Sequence, residues 1–193
     1  MLQRTYDWAM AKASHRNAYP ILALVAFVES SVFPLPPDLL IIPMVLAARS
    51  SAWRVAAVAT AASVIGGFLG YGIGALLFDS VGRPLLDFYG YAQDFEAFQV
   101  RYNEWGAWIV LMAGLTPFPY KVITIASGVT HLDPVVFGIS SLVARGLRFY
   151  IECALLWWFG PPIRNFIEKR LPLLTVLFFV LLFGSFLVIR YLL

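Results

Sequence analysis

Twice in this chain a Pro-x-Pro interrupts an apolar run and is followed by one ionisable side chain. The first instance reads Glu29-Ser-Ser-Val-Phe-Pro34-Leu-Pro36-Pro37-Asp38, the second Ala113-Gly-Leu-Thr-Pro117-Phe-Pro119-Tyr-Lys121. Laying Pro34 on Pro117 sets Asp38 opposite Lys121. Proline removes a backbone donor and breaks a helix. A charge in hydrocarbon is costly unless protein or water surrounds it. Both features together, twice, imply two broken helices that meet at a polar site inside a membrane, as expected of inverted structural repeats. The expected hairpin tips are Pro34 and Pro36 in the first instance, Pro117 and Pro119 in the second.

Composition supports the membrane. Hydrophobic residues make up 61% of the chain and charged residues 13%, where a soluble domain carries about 25% charge. Too few charges remain to cover a water-facing surface, and 193 residues leave no room for a separate soluble domain. The net charge of +3 does not indicate nucleic-acid binding. The basic residues sit between apolar runs, where they set topology. The single cysteine, Cys153, lies in an apolar run, so it forms no intramolecular disulfide and reads as a packing residue.

Residues 1–17 hold Arg4, Asp7, Lys12, His15 and Arg16 and no continuous apolar core, so they do not form a cleavable signal. Leu2, Tyr6, Ala9, Met10 and Ala13 recur at helical spacing, which fits a helix on the membrane surface or an ordinary solvated one. From Ala18 to Ala48 the apolar run is broken by Glu29, then by Pro34, Pro36, Pro37, Asp38 and Pro43. A span needs about 20 apolar residues, so a re-entrant hairpin fits better than a straight helix. Val55 to Phe78 lacks any charge and reads as a full span, with Gly66, Gly70 and Gly74 on one small-residue packing face. Residues 79–104 are the most polar internal stretch and read as a connector resting partly on the membrane surface. A second hairpin follows over 106–130, then a helix over 134–159 ended by Gly160-Pro161-Pro162. Arg164, Lys169 and Arg170 form a basic loop before a last apolar helix over 171–189.

The expected fold is therefore an all-α integral membrane protein. It comprises an inverted repeat of re-entrant hairpin plus transmembrane helix, with an extra C-terminal transmembrane helix. The expected organisation is an N-terminal surface segment (1–17), a membrane domain (18–160) and a C-terminal part (161–193). Within the membrane domain, repeat 1 spans 18–78, the connector 79–104 and repeat 2 106–160. Arg4, Lys12, Arg16, Arg49, Arg54, Arg164, Lys169 and Arg170 fall on one side if each hairpin returns to the side it entered, or spans fully and comes back. That side is the cytoplasm, so the N-terminus is cytoplasmic and the connector, with five acids against two arginines, is external.

Six ionisable residues lie at membrane depth: Glu29, Asp38, Lys121, Arg145, Arg148 and Glu152. Arg145, Arg148 and Glu152 share one helix face, and Arg148 and Glu152 are spaced to pair at i, i+4. Such a face points to a protein interior or a wet cavity, although buried pairs also serve to hold helices in register. Lys121, Arg145 and Arg148 are suited to an anionic headgroup, because arginine forks bind phosphate and a broken helix N-terminus adds donors. Glu29 and Asp38 are suited to a coupling proton or cation. No HExxH, GxSxG or phosphate-binding glycine loop is present, so an enzyme is not expected and no catalytic residue, metal or cofactor is assigned. The expected partners are membrane lipids and a proton or cation, not nucleic acid; oligomeric state is open. Proton- or cation-coupled transport of a small solute, and a structural membrane factor without transport, stand as alternatives.

These motifs resemble those of the DedA family, also called SNARE-associated or VTT-domain proteins. The resemblance covers most of residues 20–160. It rests on Glu29 with Phe33-Pro-Leu-Pro-Pro-Asp38, Gly66-Gly-Phe-Leu-Gly-Tyr-Gly-Ile-Gly74, Pro117-Phe-Pro-Tyr-Lys121 with Ser127-Gly128, and Arg145 with Arg148. The small YqaA-like branch is the most similar. The resemblance implies a bacterial inner-membrane protein with two opposed re-entrant hairpins. It also implies a flippase or scramblase role, on polyprenyl-phosphate carriers or phospholipids, linked to proton motive force. One departure concerns the second hairpin, where better-known members carry arginines. Here Lys121 occupies that region, preceded by Leu115 and Thr116. Lysine is a point charge rather than a fork, so substrate and coupling can differ.

Overall fold

The computed structural model describes residues 18–32, 36–116 and 118–160. The expectations for the N-terminal segment, for Pro34 and Pro117, and for the helix over 171–189 lie outside those residues. Every regular element among the described residues is helical. Helix α1 (Ala18–Ser31) leads through the proline-rich tip to α2 (Asp38–Ala47), with Pro37 as the residue before the first turn. Proline is tolerated there because the missing N–H would have no helical partner. A 3₁₀ turn (Arg49–Ser51) joins α2 to α3 (Ala52–Leu77). A π-helical turn (Phe78–Gly82) continues α3 into α4 (Arg83–Tyr89), which stops at Gly90 with φ 75°. Then come α5 (Ala92–Leu115), α6 (Tyr120–Val129) and α7 (Pro134–Phe159).

Helix α7 has the bounds its signals imply. Pro134 takes the first helical position, the Asp133 carboxylate accepts from the backbone N–H groups of Val135 and Val136 at 2.8 and 2.9 Å, and Gly160 ends the helix. The connector is more regular than its polar composition suggests. Helix α5 begins at Ala92 and runs through Gly106 to Leu115 without a break. No proline interrupts it, and the Leu132 side chain packs over Gly106.

Each half contains a 10-residue helix followed by a 26-residue helix: α2 then α3, and α6 then α7. At 1.5 Å per residue a 10-residue helix reaches about 15 Å, half of the ~30 Å hydrocarbon core. Two helical stretches, Arg49–Tyr89 and Pro134–Phe159, are long and apolar enough to cross a membrane.

The exterior is largely apolar, and several polar side chains are turned inward. Along α7, Ile139, Leu142, Leu147, Ile151 and Leu155 are exposed, while Ser140, Ser141 and Arg145 are buried. Water would penalise this distribution, but lipid favours it. Helix α3 is central and packs against α1, α6 and α7. Its glycine face explains the closeness. A Cβ at Gly66 would strike the Phe27 carbonyl of α1, and one at Gly74 the Ile125 carbonyl of α6. Gly70 sits between them, against Thr124. One ridge of α3 thus backs both α1 and α6, and Thr124 Oγ1 donates to the Ser30 carbonyl at 3.2 Å to join them.

Candidate functional site

Glu29 and Asp38 each meet an arginine of α7. Arg145 has no exposed surface, which is possible only because its charge is answered. Its Nη2 donates to Glu29 Oε2 at 2.7 Å and its Nε to Ser63 Oγ at 2.6 Å. Ser30 Oγ donates to Glu29 Oε2 at 3.2 Å, and Ser30 and Ser63 are 2.6 Å apart. Since Ser30 spends its hydrogen on Glu29, Ser63 must donate to Ser30. The donations close a ring, Arg145 to Ser63 to Ser30 to Glu29, with the guanidinium also feeding the carboxylate directly. The Tyr120 and Phe149 rings lie 4.8 and 4.7 Å from the guanidinium carbon, adding cation–π contacts. Among the described residues, Arg145 Nη1 has no hydrogen-bond partner.

The second pair is looser. Arg148 Nη2 stands 3.4 Å from both oxygens of Asp38. The two side chains are 30% and 28% exposed, against 1% for Arg145 and 19% for Glu29. The Glu152 carboxyl, one turn further along α7, neighbours this pair. The pairing of Arg148 with Glu152 along the helix is therefore corrected: the ion pair among the described residues joins Arg148 to Asp38. The reason is topological. Asp38 opens α2, which packs on α7, and so presents a carboxylate to the arginine from another element.

Asp38 and Lys121, equivalent in the alignment of the two motifs, stand in different surroundings. Asp38 faces Arg148, while Lys121 makes no ion pair among the described residues. Lys121 is half-buried in the first turn of α6, and its carbonyl accepts from Thr124 Oγ1 at 2.9 Å. Pro36 is exposed and Pro119 half-buried, each just before a short helix. The three cations are therefore split: Arg145 is locked, Arg148 is held weakly, and Lys121 joins neither pair among the described residues. Ser30, Ser63 and Tyr120 were not singled out from the sequence. A signal existed for Ser63, which falls with Thr60, Gly67 and Gly70 on the packed side of α3.

The chain matches the VTT domain over residues 35–157. That stretch includes Asp38, Lys121, Arg145, Arg148 and Glu152 and begins after Glu29. An uncharacterized protein of Haemophilus influenzae is 35% identical over 169 residues, which cover 88% of each chain. An uncharacterized protein of Histophilus somni is 34% identical over 155 residues, 80% of this chain and 81% of that one. No solved structure matches the chain. An apolar helical exterior around buried ion pairs is what a membrane protein of this kind requires, and the chain belongs to the VTT-domain, or DedA, family of transporter-type membrane proteins.

Proposed function

We propose that the protein moves an anionic lipid, a polyprenyl phosphate or a phospholipid, between the leaflets of the bacterial inner membrane, coupled to a proton or cation. The observation that carries this reading is the Arg148–Asp38 pair: its contacts are long, and both side chains are partly exposed. A lipid phosphate offers Arg148 a better acceptor geometry than Asp38 does at 3.4 Å. If the phosphate takes Arg148, Asp38 and Glu152 are left together without their cation. They then bind a proton or a cation, which ties anion entry to cation uptake. Lys121 and the first-turn N–H groups of α6 offer a second anion-holding place, because α6 has no side-chain cap.

The two carboxylates, expected to share one task, divide in this reading. Asp38 exchanges, whereas Glu29 holds Arg145 in place through a closed ring. The matched order of a 10-residue helix and a 26-residue helix in each half supports an inverted repeat with opposed re-entrant hairpins, and the basic flanks support a cytoplasmic N-terminus. A second reading, a structural membrane factor that moves nothing, is favoured by the Glu29–Arg145 ring, whose closure is that of a structural brace.

Reconstitution into vesicles separates the two. With a labelled polyprenyl phosphate or phosphatidylglycerol in one leaflet, exchange should be faster than in protein-free vesicles and should respond to an imposed pH gradient. Arg148→Met should slow it. Exchange at the protein-free rate, by a protein that unfolds cooperatively and is therefore intact, would favour the brace.

A further inference from the structure

The stretch Arg49–Tyr89 is helical over 41 residues. At 1.5 Å per residue that is about 60 Å, twice the hydrocarbon core of ~30 Å. Its far end therefore leaves the core or bends along its surface. The apolar pattern does not stop there. Ile65, Leu69, Leu76, Leu77, Val81, Leu85, Phe88 and Tyr89 are all exposed, a row of apolar side chains spread along the stretch. The row runs from α3 through the π-helical turn into α4, where it is interspersed with Asp79, Ser80, Arg83 and Asp87.

Beside this row the chain folds back. The Phe78 and Phe95 rings stack at 4.5 Å, bringing the start of α5 against the π-helical turn. Between them lies a groove of about 600 Å³, lined by Phe78, Val81, Leu85, Leu86, Tyr89 and Phe95 among others. No polar atom lines it. A site for a solute of this size carries a few placed polar groups that fix its orientation. A site with none has nothing to hold but hydrocarbon. Tyr89 and Tyr91 stand at the groove and are exposed. Tyrosine is the residue type of the membrane–water boundary, apolar in the ring and wet at the hydroxyl.

We infer that this groove seats the acyl tail of a bilayer lipid, which anchors the π-helical turn and α4 at the membrane boundary. Apolar lining, continuity with the lipid-facing row and boundary tyrosines all point to that one occupant. The groove includes none of the ion-paired residues, so the inference does not rest on the proposed transport.

The test uses the full chain in vesicles of phosphatidylglycerol, part of it carrying a diazirine midway along one acyl tail. After photolysis, adducts are mapped by peptide mass spectrometry. Adducts on Val81, Leu85, Leu86 and Phe95 should exceed those on exposed Ile139, Leu142 and Ile151 of α7 by several-fold. Leu86→Trp, which fills the groove, should remove the first set and leave the second. An unchanged α7 pattern reports that the variant is folded; if that pattern changes, Phe95→Trp replaces it as the filler. No adducts over 78–95 would mean that water or another part of the chain occupies the groove, and would overturn the inference. So would groove labelling equal to that of α7 and indifferent to the filling variant, since that is ordinary contact with surrounding lipid. Transport is not read in this experiment, so its failure and that of the transport proposal are separate results.

Discussion

Arg145 and Arg148 are three positions apart on one helix, yet their surroundings give them different energetics. Arg145 is buried and bound on two sides, so removing Glu29 strands a charge in a dry interior. Glu29→Leu should cost about 3–5 kcal/mol, the range for breaking a buried pair from one side. Glu29→Leu with Arg145→Met should recover much of that loss, because two apolar groups then replace two charges. Asp38→Asn should cost less, since its pair is looser, at 3.4 Å, and asparagine keeps a hydrogen-bond acceptor for Arg148. Denaturant unfolding in detergent measures all three, and equal losses for Glu29→Leu and Asp38→Asn would contradict the division between them. The spacing of Arg148 and Glu152 was visible along the helix, but it pointed to the wrong partner. Local spacing cannot register a carboxylate that arrives from a helix more than a hundred positions away.

At the scale of elements, the glycine face of α3 makes the sharpest statement. Gly66 and Gly74 touch carbonyls of α1 and α6, whereas Gly72, on the same helix, has open space where a side chain would be. Gly74→Val should force α6 away from α3 and cost about 1–3 kcal/mol or more, as overpacking does. Gly72→Ala should be neutral or stabilise by up to about 1 kcal/mol through helix propensity. Thermal unfolding in detergent distinguishes them. Asp133→Ala should cost about 1 kcal/mol, because two N–H groups at the start of α7 lose their acceptor. The glycine line was legible as a packing face because small residues at four-residue spacing have few other uses in an apolar helix. Which neighbours it served was not, since α1 and α6 come from opposite halves of the chain.

For the whole molecule, the arrangement of charges sets an expected orientation. With Cys153 replaced, a single cysteine at exposed position 90 should react with an impermeant reagent from the outer side of intact cells. Reaction from the cytoplasmic side alone would reverse the proposed topology. The same orientation places the π-helical turn and α4 at the outer boundary of the membrane.

Some properties of this protein need nothing beyond its sequence. The scarcity of charge requires lipid around it, the prolines require two interruptions, and Asp133-Pro134 and Gly160 mark the ends of α7. Each rests on local chemistry: the solvation of one side chain, a missing backbone donor, a cap. Tertiary structure alone decided the partners. Glu29 binds Arg145 through Ser30 and Ser63 because α1, α3 and α7 converge, and Asp38 meets Arg148 because α2 packs across onto α7. An ion pair depends on distance through space, and that distance is set here by the close approach of α3 to α1 and α6 at Gly66, Gly70 and Gly74, not by order along the sequence.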